Sequence, residues 1–123
     1  MQLPKTILLI ENEPQVRDVL KEVLERAGYC VFHARGGAEG LRLFEQHGST
    51  FDLVVTGMLV PEIEALVRQH PEVRLLVLST EGAMEPTPGV PILAKPFTPD
   101  ALTRAVREIL SDPQKPLGAA SGS

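Results

Sequence analysis

The stretch ILLIENEPQVRDVLKEVLERAGY, Ile7 to Tyr29, decides the fold. It opens with a continuous apolar run, the pattern of a short strand covered on both faces rather than one with a wet side. Pro14 then suits the first turn of a helix, where its missing N–H costs nothing. Val16, Val19, Leu20, Val23, Leu24 and Ala27 follow at i, i+3, i+4, i+7, i+8 and i+11, one stripe of an amphipathic helix. A buried strand, a one-faced helix and a second strand-like run beginning at Tyr29 are the makings of a strand–helix–strand unit.

Outward from this unit the pattern repeats. Thr6–Ile10, Tyr29–Ala34, Phe51–Thr56, Val73–Ser79 and Val90–Ala94 predict strands. Leu41 and Phe44 begin a second helical stripe. Leu102, Ala105, Val106, Ile109 and Leu110 make a third, opened by Thr98 as N-cap, Pro99 at the first helical position and Asp100 near the positive helix end. Strand alternating with helix predicts an α/β fold with a doubly wound parallel sheet of five strands, because right-handed crossovers put helices on both faces. Pro61 and Pro71 confine the third helix to Glu62–His70. The fourth crossover carries Gly82, Pro86, Pro88 and Gly89, which leaves room for at most one turn near Glu81–Glu85 and implies that its helix is mostly missing. Residues 1–111 read as one domain and residues 112–123, rich in Pro, Gly, Ser and Ala, as a flexible tail.

Composition narrows the partners. A length of 123 residues with 43% hydrophobic and 23% charged residues suits one soluble domain. A formal charge of −4 offers no basic field for nucleic acid or an anionic membrane surface. No apolar run approaches the roughly 20 residues of a spanning helix. The single Cys30, with no leader pattern at the start, points to a reducing cytoplasmic setting. Cys30 is expected in the core. His33, His47 and His70 lie on separate elements without ligand spacing and are expected to be exposed.

In an open parallel sheet, ligands sit beyond the carboxyl ends of the strands. Those ends carry Glu11-Asn12-Glu13, Gly57, Ser79-Thr80 and Lys95-Pro96. Two carboxylates after the first strand repel phosphate unless a cation intervenes, so a dinucleotide or flavin loop is not expected. The segments ILLIENEPQVRDVLKEVLERAGY, FDLVVTGMLVP, LLVLST and LAKPF, in this order and across residues 5–111, resemble the receiver domain of two-component response regulators. The resemblance implies a flavodoxin-like three-layer sandwich and cytoplasmic signal transduction. It also implies an aspartate after the third strand that a histidine kinase phosphorylates, an acidic pair after the first strand for magnesium, and a hydroxyl and a lysine for the phosphoryl oxygens.

Carried over residue by residue, Glu11 and Asn12 stand at the acidic pair, Ser79 at the hydroxyl and Lys95 at the lysine, with a cis Lys95-Pro96 bond. The acceptor position is Gly57, which has no side chain to form an acyl phosphate. Asp52 lies about 16 Å back along the strand. Thr56 should face away, and Glu62 and Glu64 read as solvated. With one acid of three retained, magnesium binding is expected to be weak or absent. Lys95 is expected to pair with Glu11, and Glu13 to cap the first helix. Ile92 replaces the aromatic residue that moves on phosphorylation in the family.

These departures favour a degenerate receiver, not an enzyme, that binds a protein partner such as a histidine kinase or another signalling domain, or a second copy of itself. The alternatives are a receiver of unusual form that is still phosphorylated, and a pocket that takes a small anion in the space left beside Lys95 and Ser79. The partner surface is expected around Glu81–Gly89 and the adjoining face of Thr98–Leu110. There Ile92, Leu102 and Val106 would form an exposed apolar patch rimmed by Arg104 and Arg107.

Overall fold

A computed structural model describes residues 4–47, 50–57, 61–80 and 90–111, excepting the side chains of Ser79 and Thr80. The elements in chain order are β1 (Thr6–Ile10), α1 (Pro14–Arg26), β2 (Cys30–Ala34), α2 (Gly37–His47), β3 (Leu53–Thr56), α3 (Pro61–Gln69), β4 (Arg74–Thr80), β5 (Ile92–Lys95) and α4 (Pro99–Ser111). All five strands pair in parallel in the order β2-β1-β3-β4-β5. The chain therefore starts in the interior of the sheet, steps outward to β2, then returns past β1 to build the other side. That reversal leaves a crevice beyond the carboxyl ends of β1 and β3, and Glu11 and Gly57 are the residues that follow them.

β1 is buried at every position, as its unbroken apolar run requires of a strand with helices above and below. Its side chains divide by parity. Leu8 and Ile10 join Val54, Leu75 and Val77 under Phe44 of α2 and Ile63, Leu66 and Val67 of α3. Ile7 and Leu9 join Leu53, Val55, Leu76 and Leu78 under Leu20 and Leu24 of α1 and Leu102 and Val106 of α4. Two helices on each face make the three layers. α2 lies close against the sheet at buried Gly40, where an added Cβ would stand 2.6 Å from Ile10 Cδ1.

Helix ends follow their local chemistry. Thr98 Oγ1 accepts from the Ala101 N–H at 3.0 Å and caps α4 as expected. α1 ends at Arg26 with Ala27 as its C-cap, and the chain leaves the helix through Gly28, whose φ of 102° belongs to the left-handed region that glycine enters without penalty. The Tyr29 N–H turns back to the Leu24 carbonyl, which is why β2 begins one residue later than the apolar run. Glu13 occupies the N-cap of α1, but its side chain makes no capping bond. The α1 stripe is narrower than its sequence pattern: Leu20 and Leu24 are buried, Val16 and Val23 are half-buried, Ala27 is exposed and Val19 is 59% exposed.

Two expectations about the surface are overturned. Cys30 is exposed, because β2 is an edge strand and Cys30 begins it, outside the cover of α2. Leu102 and Val106 are fully buried in the α1 layer, whereas Ile92 packs on the opposite face of the sheet against the α2 and α3 layer. The three do not form one exposed patch, since α4 returns to the side of α1. Arg104 and Arg107 are exposed. Glu81–Gly89 and residues 112–123, with the expected missing helix and tail, lie outside the described residues.

Candidate functional site

β1 delivers Glu11 to the crevice by the last bond of its ladder: the Glu11 N–H donates to the Ala34 carbonyl at 3.0 Å. β3 delivers Gly57 in the same way, its N–H donating to the Ile10 carbonyl at 2.9 Å. These two residues are brought into contact. Glu11 is only 2% exposed. Its Oε2 accepts from the Glu13 N–H at 3.2 Å, and its Oε1 has no hydrogen-bond partner among the described residues. A Cβ placed on Gly57 would stand 2.3 Å from Oε1, 3.3 Å from Cδ and 3.8 Å from Oε2 of Glu11. The room beside the glycine is filled by this carboxylate.

The other family positions are placed less tightly. Asn12 and Glu13 are exposed. Ser79 and Thr80 lie in β4 opposite Ala94 and Lys95 of β5. Lys95 is half-buried at the end of that strand, and the Lys95-Pro96 peptide is cis, as expected. The expected ion pair between Lys95 and Glu11 is not formed. The sheet order explains it: β5 stands three strand spacings from β1, about 14 Å across the ladder, and Glu11 is turned toward β3.

Arg17 is a member of the site that its sequence position, on the polar side of α1, does not disclose. Its Nη1 donates to the Glu11 carbonyl oxygen at 2.9 Å, and its Nε is buried without a partner among the described residues. The one available signal is its place in the first turn after Pro14, from which a long side chain can fold back over the β1–α1 loop.

The remaining candidates stand apart. Asp52, at the opposite end of β3, accepts from the Thr6 N–H through Oδ2 at 2.8 Å. Thr56 is fully buried, and Glu62 and Glu64 are exposed on α3. His33 and His47 are exposed, and His47 rests against Phe32 with ring centroids 4.8 Å apart. His70 is half-buried, with Nδ1 3.5 Å from Glu72 Oε2 and its ring 4.7 Å from Phe44. No group of three or more Cys, His, Asp and Glu side chains that could hold a metal ion occurs among the described residues. No described helix is long and apolar enough to cross a membrane.

No protein-family model matches the chain. Over 117 residues it is 30% identical to the sensor kinase CckA of Brucella abortus, covering 85% of this chain and 12% of that protein. It spans between 12% and 50% of the length of the curated relatives it matches. Among solved structures, a candidate response regulator from Chloroflexus aurantiacus is similar with a TM-score of 0.75 and 30% identity, covering 89% of this chain and 99% of that one. A response regulator receiver protein from Sinorhizobium medicae gives a TM-score of 0.76 with 26% identity, over 88% of this chain and 95% of that one.

Proposed function

The chain belongs to the receiver domains of response regulators, and on that premise we propose that it is an atypical one, a signalling module that acts by binding a protein partner without being phosphorylated. One observation carries this reading: the residue that follows β3 in the crevice is Gly57. An acyl phosphate needs a carboxylate oxygen as nucleophile, and the backbone at Gly57 offers none. The carboxylates elsewhere on β3 and α3 do not substitute. Asp52 is spent on the Thr6 amide at the far end of the strand, and Glu62 and Glu64 face solvent.

Magnesium does not fit the donor set. An octahedral magnesium shell is anchored by one or two carboxylates that face the ligand waters. Glu11, the acid retained from the family's set, has one oxygen on the Glu13 amide and the other against Gly57. Asn12 brings a neutral amide. No step of the proposed function passes through a metal, and the domain is proposed to have no enzymatic activity of its own.

The partner is proposed to be a histidine kinase or another signalling domain, in keeping with the family and with a net charge of −4 that disfavours nucleic acid. A second copy of this chain is the other candidate. Incubation with acetyl phosphate and magnesium, followed by intact mass measurement, tests the reading. The mass is expected to stay unchanged. A gain of about 80 Da, one phosphoryl group replacing a proton on a nucleophilic side chain, would overturn it.

A further inference from the structure

We infer that Glu11 is the built-in occupant of the crevice, and that glutamate at position 11 and glycine at position 57 form one coupled pair. This deepens the proposed reading of the pocket. The acceptor side chain is not merely missing; its place is held by a carboxylate supplied from the neighbouring strand.

Glycine is required in a protein for one of two reasons, a backbone conformation that other residues avoid or a lack of room for Cβ. The first does not apply at Gly57. Among the described glycines the left-handed conformation belongs to Gly28, and the backbone of Gly57 is open to any L-residue. The second applies, and Glu11 is its cause among the described residues. The three nearest heavy atoms that a Cβ at 57 would meet are Oε1, Cδ and Oε2 of Glu11. Among the described residues, apart from the glycine's chain neighbours, no main-chain atom and no other side chain stands nearer than these three atoms.

The position of Oε1 is informative in itself. By ordinary bond lengths and angles, an aspartate's carboxylate oxygens lie about 2.4 Å from its own Cβ. Glu11 Oε1 lies 2.3 Å from the Cβ position at 57, on the shell where the oxygens of an aspartate at 57 would be found. Glu11 is held there at three points: its N–H on the Ala34 carbonyl, its carbonyl oxygen under Arg17 Nη1 and its Oε2 on the Glu13 amide. A buried carboxylate in this place repels a second anion and leaves it no volume. The crevice is thereby closed to phosphate and set in one state by the chain itself.

A double-mutant cycle on thermal stability tests the coupling. A Gly→Ala change at an unstrained backbone site normally stabilises by restricting the unfolded chain. In the wild-type background Gly57→Ala is expected to lower Tm by about 3 °C or more, because the methyl group evicts the carboxylate. In Glu11→Ala, where the room is empty, the same change is expected to raise Tm by about 3 °C. If Glu11→Ala does not fold, Glu11→Asp, one methylene shorter, takes its place in the cycle with the same expected sign. Equal shifts of Tm in both backgrounds would mean that the residues are independent, and would overturn the inference. The cycle is read without any phosphodonor. Phosphorylation of the wild type would therefore defeat the proposed function and leave the coupling standing, while additivity would do the reverse.

Discussion

Asp52 shows how an acidic residue on the strand that leads to the crevice can be wholly structural. Its Oδ2 takes the Thr6 N–H at 2.8 Å, and its own N–H and carbonyl oxygen pair with the Thr6 carbonyl and the Arg74 N–H. One residue thus ties together the starts of β1, β3 and β4, its side chain to β1 and its main chain to β1 and β4. Asp52→Ala leaves the Thr6 amide, part-buried, without that acceptor, and is expected to lower the free energy of unfolding by about 1–2 kcal/mol, read from the urea midpoint at unchanged slope. A loss well below 0.5 kcal/mol would mean that water replaces the carboxylate there. Residues of this kind are legible in the sequence only in part. That Asp52 is too far from the crevice follows from strand rise alone, but its partner lies across the sheet and has no local signature. Arg17 is the same case with the opposite outcome. On helical spacing it is a surface residue of α1, and only the path of the β1–α1 loop brings its guanidinium over the Glu11 carbonyl.

At the scale of elements, the first turn of α2 is set by Glu39. Its Oε1 reaches back to accept the Arg35 N–H at 2.7 Å and lies 3.5 Å from Arg35 Nε. The hydrogen bond from the Arg35 backbone holds the Glu39 carboxyl below its usual value of 4.5; burial opposes this and the positive charges of Arg35 and Arg42 add to it. A carboxyl with a lowered pKa in the folded state contributes stability that is present above the unfolded pKa and is lost as pH falls through the folded one. Glu39→Gln is therefore expected to be less stable than wild type at neutral pH, with the difference shrinking as pH falls through the acid range below 4.5. Urea midpoints at a series of pH values check this; a difference that grows on acidification would contradict it. The elements themselves are well marked in the sequence. β1 coincides with its apolar run because all five residues are buried, and α4 starts where Thr98, Pro99 and Asp100 place it. The expected strands at Phe51 and Tyr29 begin too early, since Phe51 is buried ahead of the first ladder pair and Tyr29 serves the end of α1. Hydrophobicity reports burial, and burial does not stop where hydrogen-bonded pairing stops.

For the molecule as a whole, the sheet order assigns each helix to a layer, and this is where the sequence reading of the surface failed. Leu102 and Val106 are expected beside Ile92 of β5, yet they pack with α1 over β1, β3 and β4 on the face that Leu93 of β5 joins, while Ile92 lies on the other face. The order of strands is a tertiary fact, and so is the distance that keeps Lys95 from Glu11. What the strand-end motifs do disclose is which residues arrive at the crevice; what they cannot disclose is that Glu11 turns into the room beside Gly57. The same arrangement predicts the response of the whole fold to metal. Ligand binding raises stability by an amount set by the ratio of ligand concentration to its Kd for the folded state, and adds little while that ratio is well below one. With a single inward-turned carboxylate, 5 mM magnesium is expected to add less than about 0.1 kcal/mol, leaving Tm unchanged within about 1 °C by scanning calorimetry. A rise of several degrees that disappears in Glu11→Ala would show that the carboxylate turns outward to meet the ion. Finally, the exposed Cys30 at the start of edge strand β2 is the chain's sole thiol. It lies four residues before Ala34, about 13 Å along the strand from the end that meets Glu11. A maleimide dye will therefore attach at one known point, at the pole of the sheet opposite the crevice. Its polarisation can follow docking of a partner in real time while the pocket stays chemically untouched.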